Sequence, residues 1–409
     1  MVLDKAGRML GALPSFSLAP PWWQVVAPVV AAARERFGLE LCVLRLLHAE
    51  RPRAHGGAVT YLAELTGDAA SGSAALFAPP DTRTLELATR PEPLRMAWAE
   101  PGGPRRSLEW AGAELAARGL GSFQAAQERS WNLSAIWQLT RVNGSGPPFW
   151  LKQVPNFFAH EGAVLSWLNE AAPNLGPKLI ADDGHGRLLL EHVPGEDCHG
   201  APVALRAELA VIAHRIAECA APLLPSLIAS GVPDRRGMTL ARHIRGALAA
   251  APMELDLRGV APLLSTLEER CSALSECGVP DTLVHGDLHP GNAREQARQL
   301  VVIDWGDSFI GHPGFDILRL AEGCTEAEAD SLVDAWSSRW RKARPGSDPE
   351  RAILLLRPLA ALRAAATYAH FLAEIEPSEH PYHVFDVPEQ LALAERLATR
   401  RETPHTRGQ

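Results

Sequence analysis

Two short stretches decide the fold of this chain: residues 285–292 read HGDLHPGN, and residues 301–307 read VVIDWGD. Two glycines and a proline keep the first stretch from forming a helix, so it is predicted to be a loop. In such a loop the side chains of Asp287 and Asn292 can point into one space. Asp304 follows a run of aliphatic residues, which places its carboxylate at the end of a buried strand.

An acid and an amide from one loop, together with an acid from a strand end, form an oxygen-rich group. Mg²⁺ prefers a few hard oxygen ligands and retains water, and such a site lies beside phosphate in many enzymes. This pattern is typical of phosphoryl transfer, in which a carboxylate orients the acceptor hydroxyl and other oxygens hold the metal. Either stretch alone is equally compatible with a turn or a helix cap, and the two together favour a site.

The order H-G-D-x-x-x-x-N and then I-D-W-G-D resembles the aminoglycoside phosphotransferase and choline kinase family, which shares the protein-kinase-like fold. The resemblance implies that Asp287 is the catalytic base and that Asn292 and Asp304 are Mg²⁺ ligands. It implies that His285 is a structural member of the catalytic loop. Asp316, in GHPGFDILRL, would support this loop through hydrogen bonds.

A kinase of this kind needs a cation on the nucleotide phosphates and an acid that holds the cation. Lys152, in the predicted strand FWLKQVP, is the only lysine between Lys5 and Lys178. Its ammonium group suits the α- and β-phosphates of ATP. Glu161 opens the next predicted helix and is expected to pair with Lys152, although the helix dipole alone also favours an acid there.

The loop that covers the phosphates is predicted in residues 128–137, ERSWNLSAIW. This stretch contains no glycine and therefore departs from the G-x-G-x-x-G pattern. Ser130, Asn132 and Ser134 are expected to supply hydrogen-bond donors instead.

The adenine slot and the connection between the lobes are predicted in LLLEHVPGED, residues 188–197, where a strand breaks at a Pro-Gly pair. The residues assigned to this region are Leu190, Glu191, His192 and Val193.

A small-molecule acceptor is favoured over a protein, because only eleven residues separate Asp304 from Asp316 and no A-P-E motif follows. We expect an ATP-dependent, Mg²⁺-requiring kinase whose first candidate acceptor is an aminoglycoside or another natural-product antibiotic, as in resistance enzymes. The alternatives are a metabolic kinase of an amino alcohol, a sugar or a ketosamine, and a nucleotide-binding module without turnover. His289 is interpreted as a loop-packing residue. Acidic residues that would attract an amine-bearing acceptor if they lined one cleft are Glu196, Asp197, Glu322, Glu326, Glu328 and Asp330.

Composition bounds these interpretations. The chain has 409 residues, 46% of them hydrophobic, and a formal net charge of −8, which argues against a nucleic-acid partner. Six scattered cysteines without a C-x-x-C pair predict neither a disulfide framework nor a zinc knuckle. No secretion signal or membrane segment is predicted, so we expect a cytoplasmic protein.

The predicted fold class is α+β: a bilobal protein-kinase-like fold, with a small β-rich N-lobe and a large helical C-lobe, preceded by an extra small α+β domain. That domain is predicted to contain a helix ending at Gly38, the strands LELCVLRLL, AVTYLAEL and LRMAWAE, and the helix SLEWAGAELAARG. The predicted boundaries are a flexible lead at 1–21, the small domain at 22–118, the N-lobe with hinge at 120–193, the C-lobe at 194–399 and a disordered tail at 400–409.

Overall fold

The chain forms two compact units in a computed structural model, which describes residues 1–19, 22–67, 73–142, 144 and 146–399. The predicted tail at 400–409 lies outside the described residues. The first unit comprises Met1–Asn169, Pro177–Val193 and Glu374–Val384. The second comprises Glu170–Gly176, Pro194–Ala373 and the chain from Phe385 onward. The change of unit after Val193 coincides with the Pro-Gly break at which the sequence predicts the hinge.

Two β-sheets with helices make up the first unit. The first sheet has the order β2-β1-β4-β3, and the second has the order β5-β6-β7-β9-β8. The strands are β1 (Val2–Leu3), β2 (Met9–Gly11), β3 (Leu41–Ala49), β4 (Val59–Leu65), β5 (Phe123–Ser130), β6 (Ala135–Arg141), β7 (Phe149–Gln153), β8 (Leu179–Asp182) and β9 (Arg187–Glu191). The helices are α1 (Ala27–Phe37), α2 (Thr82–Thr89), α3 (Gly103–Ala117) and α4 (Glu161–Ala171).

Most elements predicted before residue 119 are present. Helix α1 ends at Gly38, whose φ of 66° is the left-handed conformation that closes a helix and that glycine adopts without strain. Strands β3 and β4 correspond to LELCVLRLL and AVTYLAEL, and helix α3 to SLEWAGAELAARG. The predicted strand LRMAWAE is wrong, because residues 94–100 contain turns and no strand. Its consecutive residues Trp98 and Ala99 are both buried, whereas a strand with one buried face alternates.

The prediction of a flexible lead is wrong for residues 1–11. Strand β1 pairs with β2 in antiparallel and with β4 in parallel orientation. Val2 and Leu3 are buried, so this short apolar pair completes the core on both faces of the sheet.

Residues 22–118 do not form a compact unit of their own, because they share a core with the second sheet. Trp98 and Leu115 belong to the same buried cluster as Trp137 and Leu151. The amide of Gln127 on β5 also bonds both backbone groups of Val43 on β3, at 2.8 Å and 2.7 Å. The predicted boundary near Gly119 therefore lies inside one packed unit.

A chain that begins at Gly119 is consequently expected not to fold. The truncation removes one side of the shared core and exposes Trp137 and Leu151, and each large apolar side chain left in water costs roughly 1.5–3 kcal/mol. The loss of a few such buried side chains is comparable to the whole free energy of unfolding of a typical protein, which is about 5–15 kcal/mol. Circular dichroism and thermal melting of the shortened chain, with the full chain as control, check this expectation. A cooperative melting transition in the shortened chain would contradict it.

A late segment of the chain also belongs to the first unit. Residues 374–384, which include the 3₁₀ helix Pro377–Tyr382, contact strand β3. The carboxylate of Glu379 accepts the backbone N–H of Leu46 at 3.1 Å, and the Tyr382 ring packs edge-on against Trp23. We call residues 374–384 the returning segment.

The second unit is mainly helical and contains two small antiparallel sheets, of order β10-β12-β13 and β11-β14. Its strands are β10 (Glu196–Asp197), β11 (Thr282–Val284), β12 (Ala293–Gln296), β13 (Gln299–Val302) and β14 (Phe309–Gly311). Its helices are α5 (Val203–Ala220), α6 (Leu224–Ala229), α7 (Gly237–Ala249), α8 (Ala261–Ser265), α9 (Leu267–Glu276), α10 (Gly314–Leu320), α11 (Glu326–Ala343), α12 (Pro349–Glu374) and α13 (Asp386–Thr399).

Two helical stretches, Val203–Ala229 and Pro349–Glu374, have the length and mean hydropathy of a membrane span. By that criterion alone they are weak candidates, because core helices of globular proteins pass the same test. Of the most apolar part of α12, 56% is buried inside the protein. Helix α12 therefore has the character of a core helix.

Candidate active site

The HGDLHPGN loop connects β11 to β12, and Asp304 follows β13. The backbone N–H of Ile303 donates to the carbonyl oxygen of Asn292 at 2.9 Å. This bond brings the residue before Asp304 to the backbone of Asn292, and the prediction that the two side chains share a metal stays a prediction. Asp304 has a φ of 66°, a left-handed conformation that non-glycine residues rarely adopt and that is common at functional sites.

The start of the loop is held by Asp316. Its two carboxylate oxygens accept the backbone N–H groups of His285, at 2.9 Å, and Gly286, at 3.0 Å. Burial raises the pKa of Asp316, and the two hydrogen bonds act in the opposite direction. Gly286 is required here, because its φ is 85° and a Cβ would lie 2.1 Å from the carbonyl oxygen of Asp307. Asp316 contacts the loop in the way that the predicted supporting role demands.

His285 is also buried in this framework. Its Nε2 lies 3.0 Å from the carbonyl oxygen of Ile303, and its ring lies 4.6 Å from that of Trp305. These contacts connect the loop to the chain that carries Asp304. They are the contacts expected of a structural member of the loop.

Both oxygens of the Asp287 carboxylate have cationic or polar neighbours. Oδ1 accepts the Nε–H of Arg319 at 2.7 Å, and Oδ2 accepts the Nδ2–H of Asn292 at 3.1 Å. The His289 Nε2 lies 3.5 Å from Oδ2. Burial by itself would raise the pKa of Asp287, but the hydrogen bond from His289 and the charge of Arg319 outweigh it and hold the pKa well below its usual range. The carboxylate is therefore ionised at neutral pH.

The structure corrects the interpretation of His289 as a residue that only packs in the loop. Its Nδ1 accepts the backbone N–H of Gly291 at 3.0 Å. An acceptor nitrogen carries no proton, so the proton of the neutral ring lies on Nε2, which faces Asp287. His289 therefore presents a donor to the predicted catalytic carboxylate.

Arg319 is a functional candidate that the sequence analysis missed. It lies three residues after Asp316 on helix α10, one turn along the same face. Besides Asp287, it forms an ion pair with Glu322. Arg206 in turn donates to the carbonyl oxygen of Glu322 at 2.9 Å. The spacing from Asp316 is the signal that could have indicated Arg319, since both residues point toward the loop.

On the first unit, Lys152 of β7 and Glu161 of α4 form the expected ion pair. The Lys152 Nζ lies 2.6 Å from the Glu161 Oε1, and 10% and 2% of the two side chains are exposed. A buried ion pair with this geometry holds the ammonium group in a fixed position. Its contact with nucleotide phosphates stays a prediction.

The three polar side chains predicted to cover the phosphates are buried and bonded within the protein. Ser130 donates to a backbone carbonyl of β3 at 3.1 Å, and Asn132 donates to the carbonyl oxygen of Glu379 at 3.4 Å. The Ser134 hydroxyl accepts the indole N–H of Trp131 at 2.9 Å. These side chains stabilise the conformation of the loop. A phosphate contact from this stretch would therefore be made by its backbone N–H groups.

The residues predicted for the adenine slot lie at the end of β9. Leu190 is buried in the sheet beside Trp150, its partner on β7. The Trp150 indole donates to the Nδ1 of His192 at 3.1 Å, and the two rings are stacked. Glu191 pairs with Lys178 at 2.7 Å. The assignment of Leu190, Glu191, His192 and Val193 to nucleotide binding stays a prediction.

The donor set around Asp304 fits Mg²⁺. The Asn292 amide donates its Nδ2–H groups to Asp287, so its Oδ1 is the atom left to face a metal. One amide oxygen and one carboxylate form the small hard-oxygen set that Mg²⁺ uses together with water and phosphate. In the part of the chain that the structure describes, no group of three or more His, Cys, Asp or Glu side chains offers another metal site.

The chain is similar to known phosphotransferases and kinases. The family model of the phosphotransferase enzyme family matches residues 138–355. Among solved structures, a choline/ethanolamine kinase family protein from Mesorhizobium loti is 16% identical with a TM-score of 0.52, covering 73% of this chain and 96% of its own. Choline kinase LicA from Streptococcus pneumoniae is 15% identical with a TM-score of 0.51, covering 71% and 99%. Macrolide 2'-phosphotransferase MphH from Brachybacterium faecium is 19% identical with a TM-score of 0.45, covering 66% and 98%. No curated protein matches the sequence.

The chain belongs to the phosphotransferase enzyme family, because the family match spans more than half of it, and it is an enzyme that transfers a phosphoryl group to a hydroxyl. Its α+β fold matches that of the choline kinases. The family resemblance stated from the two loop motifs is thereby confirmed.

Proposed function

We propose that the protein is an ATP-dependent, Mg²⁺-requiring kinase that transfers the γ-phosphoryl group to a hydroxyl of a small molecule. The first candidate acceptor is an aminoglycoside or another natural-product antibiotic. The observation that carries the proposal is the ionised Asp287 carboxylate, bonded to Asn292 and held by Arg319.

In this proposal Asp287 accepts a hydrogen bond from the acceptor hydroxyl and orients its oxygen toward the phosphorus. A carboxylate with a strongly lowered pKa is a weak base, so its main contribution is position. It takes the hydroxyl proton as the new O–P bond forms and the bond between the γ-phosphorus and the β–γ bridging oxygen breaks, which releases ADP. Arg319 and His289 act as positioning residues, because they contact the carboxylate at both oxygens.

The proposal also assigns the metal and nucleotide contacts. Asn292 and Asp304 would hold Mg²⁺, which neutralises charge on the β- and γ-phosphates when it is bound. Lys152, fixed by Glu161, is proposed to bind the α- and β-phosphates. The intact Lys152, Asp287, Asn292 and Asp304 argue against a binding module without turnover.

Three of the six acidic residues considered for an amine-bearing acceptor have other side-chain partners. Glu328 and Thr325 form a capping box at the start of α11, and Asp330 lies 3.9 Å from Arg357. Glu322 pairs with Arg319. Because these acids have local roles, neutral hydroxyl acceptors belong in any test beside cationic ones.

The acceptor is tested by measuring acceptor-dependent ADP formation. The panel comprises aminoglycosides, nucleoside antibiotics, macrolides, choline, ethanolamine and aminosugars. A true acceptor raises ADP formation and yields a phosphorylated product by mass spectrometry. Both signals should fall by about 10²- to 10⁴-fold in Asp287→Asn. ADP formation that is the same with and without every acceptor, in a protein that binds Mg·ATP, would contradict the kinase proposal.

Arg319 gives a prediction about pH. In the wild type the pKa of Asp287 is strongly lowered, so the carboxylate stays charged throughout an assay from pH 5 to pH 8. Arg319→Gln removes a charge that lowers the pKa of Asp287, so this pKa rises, while the lowering effect of the His289 hydrogen bond remains. The variant should therefore have a lower kcat than the wild type at both pH 5 and pH 8, with the larger loss at pH 5. Arg319→Lys should restore part of the lost kcat. A pH profile of the same shape as the wild type would show that Arg319 does not act through Asp287.

A further inference from the structure

The first unit contains an open cavity of about 740 Å³ that lies outside the catalytic machinery. Every residue that lines it precedes residue 138, so the cavity lies outside the segment matched by the phosphotransferase family. Its walls come from α1, the β3 and β4 strands, the start of α3, and strands β5 and β6. Ligand pockets typically have volumes of about 300–1,000 Å³.

The cavity wall is mostly apolar, with Val30, Leu65, Leu108, Ala126 and Trp137 among its residues. Its charged residues comprise four carboxylates and three cations. These are Glu40, Glu64, Glu109 and Glu128, and Lys5, Arg34 and Arg105. Arg34 and Glu40 neutralise each other through two hydrogen bonds of 2.7 Å and 2.8 Å. The remaining lining charge is therefore negative.

Glu64 is the charged group that is deepest in this wall, with 6% of the residue exposed. Its Oε2 accepts the backbone N–H of Gly102 at 2.6 Å, at the start of α3. Its Oε1 has no hydrogen-bond partner among the described residues, and it is not shut off from the cavity. The other buried polar side chain of the wall, Gln127, is fully bonded to Val43.

Glu64 Oε1 faces the cavity without a donor from the described residues, and a carboxylate oxygen of a largely buried residue is poorly hydrated. Burial raises the pKa of Glu64, whereas the Gly102 hydrogen bond and the charges of Arg105 and Arg106 act in the opposite direction. An ammonium group at this oxygen would supply both a donor and a compensating charge. The apolar wall around it, including the Trp137 ring, suits a hydrophobic body attached to the amine.

We propose that this cavity is a second ligand site, separate from the phosphotransfer centre, which binds a small molecule with a primary or secondary ammonium group on an apolar, ring-sized body. Glu64 Oε1 is the anchor of the ammonium group. The walls supplied by α1, α3 and β5 hold the body of the ligand.

The test uses the full chain, with 2-phenylethylamine as probe and its neutral counterpart 2-phenylethanol as matched ligand. Calorimetry or ligand-observed NMR measures both affinities at neutral pH. Wild type should prefer the amine by about tenfold, which is what one charge-assisted hydrogen bond contributes. Glu64→Gln keeps an acceptor for Gly102 and should remove that preference. Ala126→Trp, at an exposed position of the cavity wall, should weaken both probes.

Asp287→Asn separates this site from the acceptor site, and it should bind both probes as the wild type does. Melting temperatures of the three variants confirm that each is folded. Equal affinity of wild type for amine and alcohol, or undetectable binding of both, would overturn the proposal. It would also fail if the amine preference survived Glu64→Gln, or if it disappeared in Asp287→Asn, since the amine would then lie at the acceptor site.

Discussion

Asp287→Asn is expected to lower kcat for phosphoryl transfer by about 10²- to 10⁴-fold, the usual contribution of a positioned acid or base. The affinity for ATP should change by less than about tenfold, or roughly 1.4 kcal/mol. The substitution keeps size and leaves an oxygen that can still accept the Arg319 hydrogen bond. It removes the negative charge that receives the acceptor proton. Steady-state kinetics with a verified acceptor and calorimetry with Mg·ATP measure the two quantities.

Asp316→Asn is the matched control for that experiment. Asp316 accepts two backbone N–H groups, one on each oxygen, and an amide nitrogen in place of one oxygen would face an N–H. This conflict should lower stability by about 1–3 kcal/mol and reduce the melting temperature along with activity. In Asp287→Asn the new amide nitrogen faces the Asn292 amide instead, but 35% of this side chain is exposed and water can relieve the conflict, so the variant should melt closer to the wild type than Asp316→Asn. Near-wild-type turnover in Asp287→Asn would remove the chemical centre of the proposed mechanism.

Asp304→Asn is expected to weaken binding of Mg·ATP by about tenfold or more, because a neutral amide oxygen replaces a charged metal ligand. The fold should not change. Asp304 has a φ of 66°, and asparagine is among the few non-glycine residues that tolerate this conformation. Calorimetry with Mg·ATP, and with ATP in the presence of a chelator, separates the metal effect from the nucleotide effect. Equal Mg·ATP affinity in the folded variant and the wild type would refute the assignment of Asp304.

The parts of the site that sequence could predict are those with local causes. The glycines and proline of HGDLHPGN impose a loop, and an aliphatic run before Asp304 imposes a strand. These two constraints were sufficient to place Asp287, Asn292 and Asp304 near one another. The Lys152–Glu161 ion pair could be predicted for the same reason, because the two residues lie close in sequence, on strand β7 and helix α4.

The parts that sequence did not predict depend on distant contacts. Arg319 meets Asp287 across 32 positions, and an arginine on a helix has no local feature that marks such a partner. The direction of the His289 proton depends on a bond to Gly291 that only the folded loop reveals. Strand β1 has two residues, too few to show a period, and it is held by its pairing with β4. Trp98 and Trp137 likewise share one core, although the predicted boundary near Gly119 assigns them to different domains.

The returning segment also determines when the first unit can complete its folding during synthesis. The hydrogen bond between Leu46 and Glu379 joins residues 333 positions apart, and Tyr382 packs with Trp23 and Leu46. Domains usually fold as the ribosome releases them, beginning with the N-terminal one. The first unit cannot follow that order, because its nascent core lacks the Tyr382 ring until residues 374–384 have emerged. We therefore expect the newly made N-terminal half to remain open to chaperones and proteases until translation is almost finished.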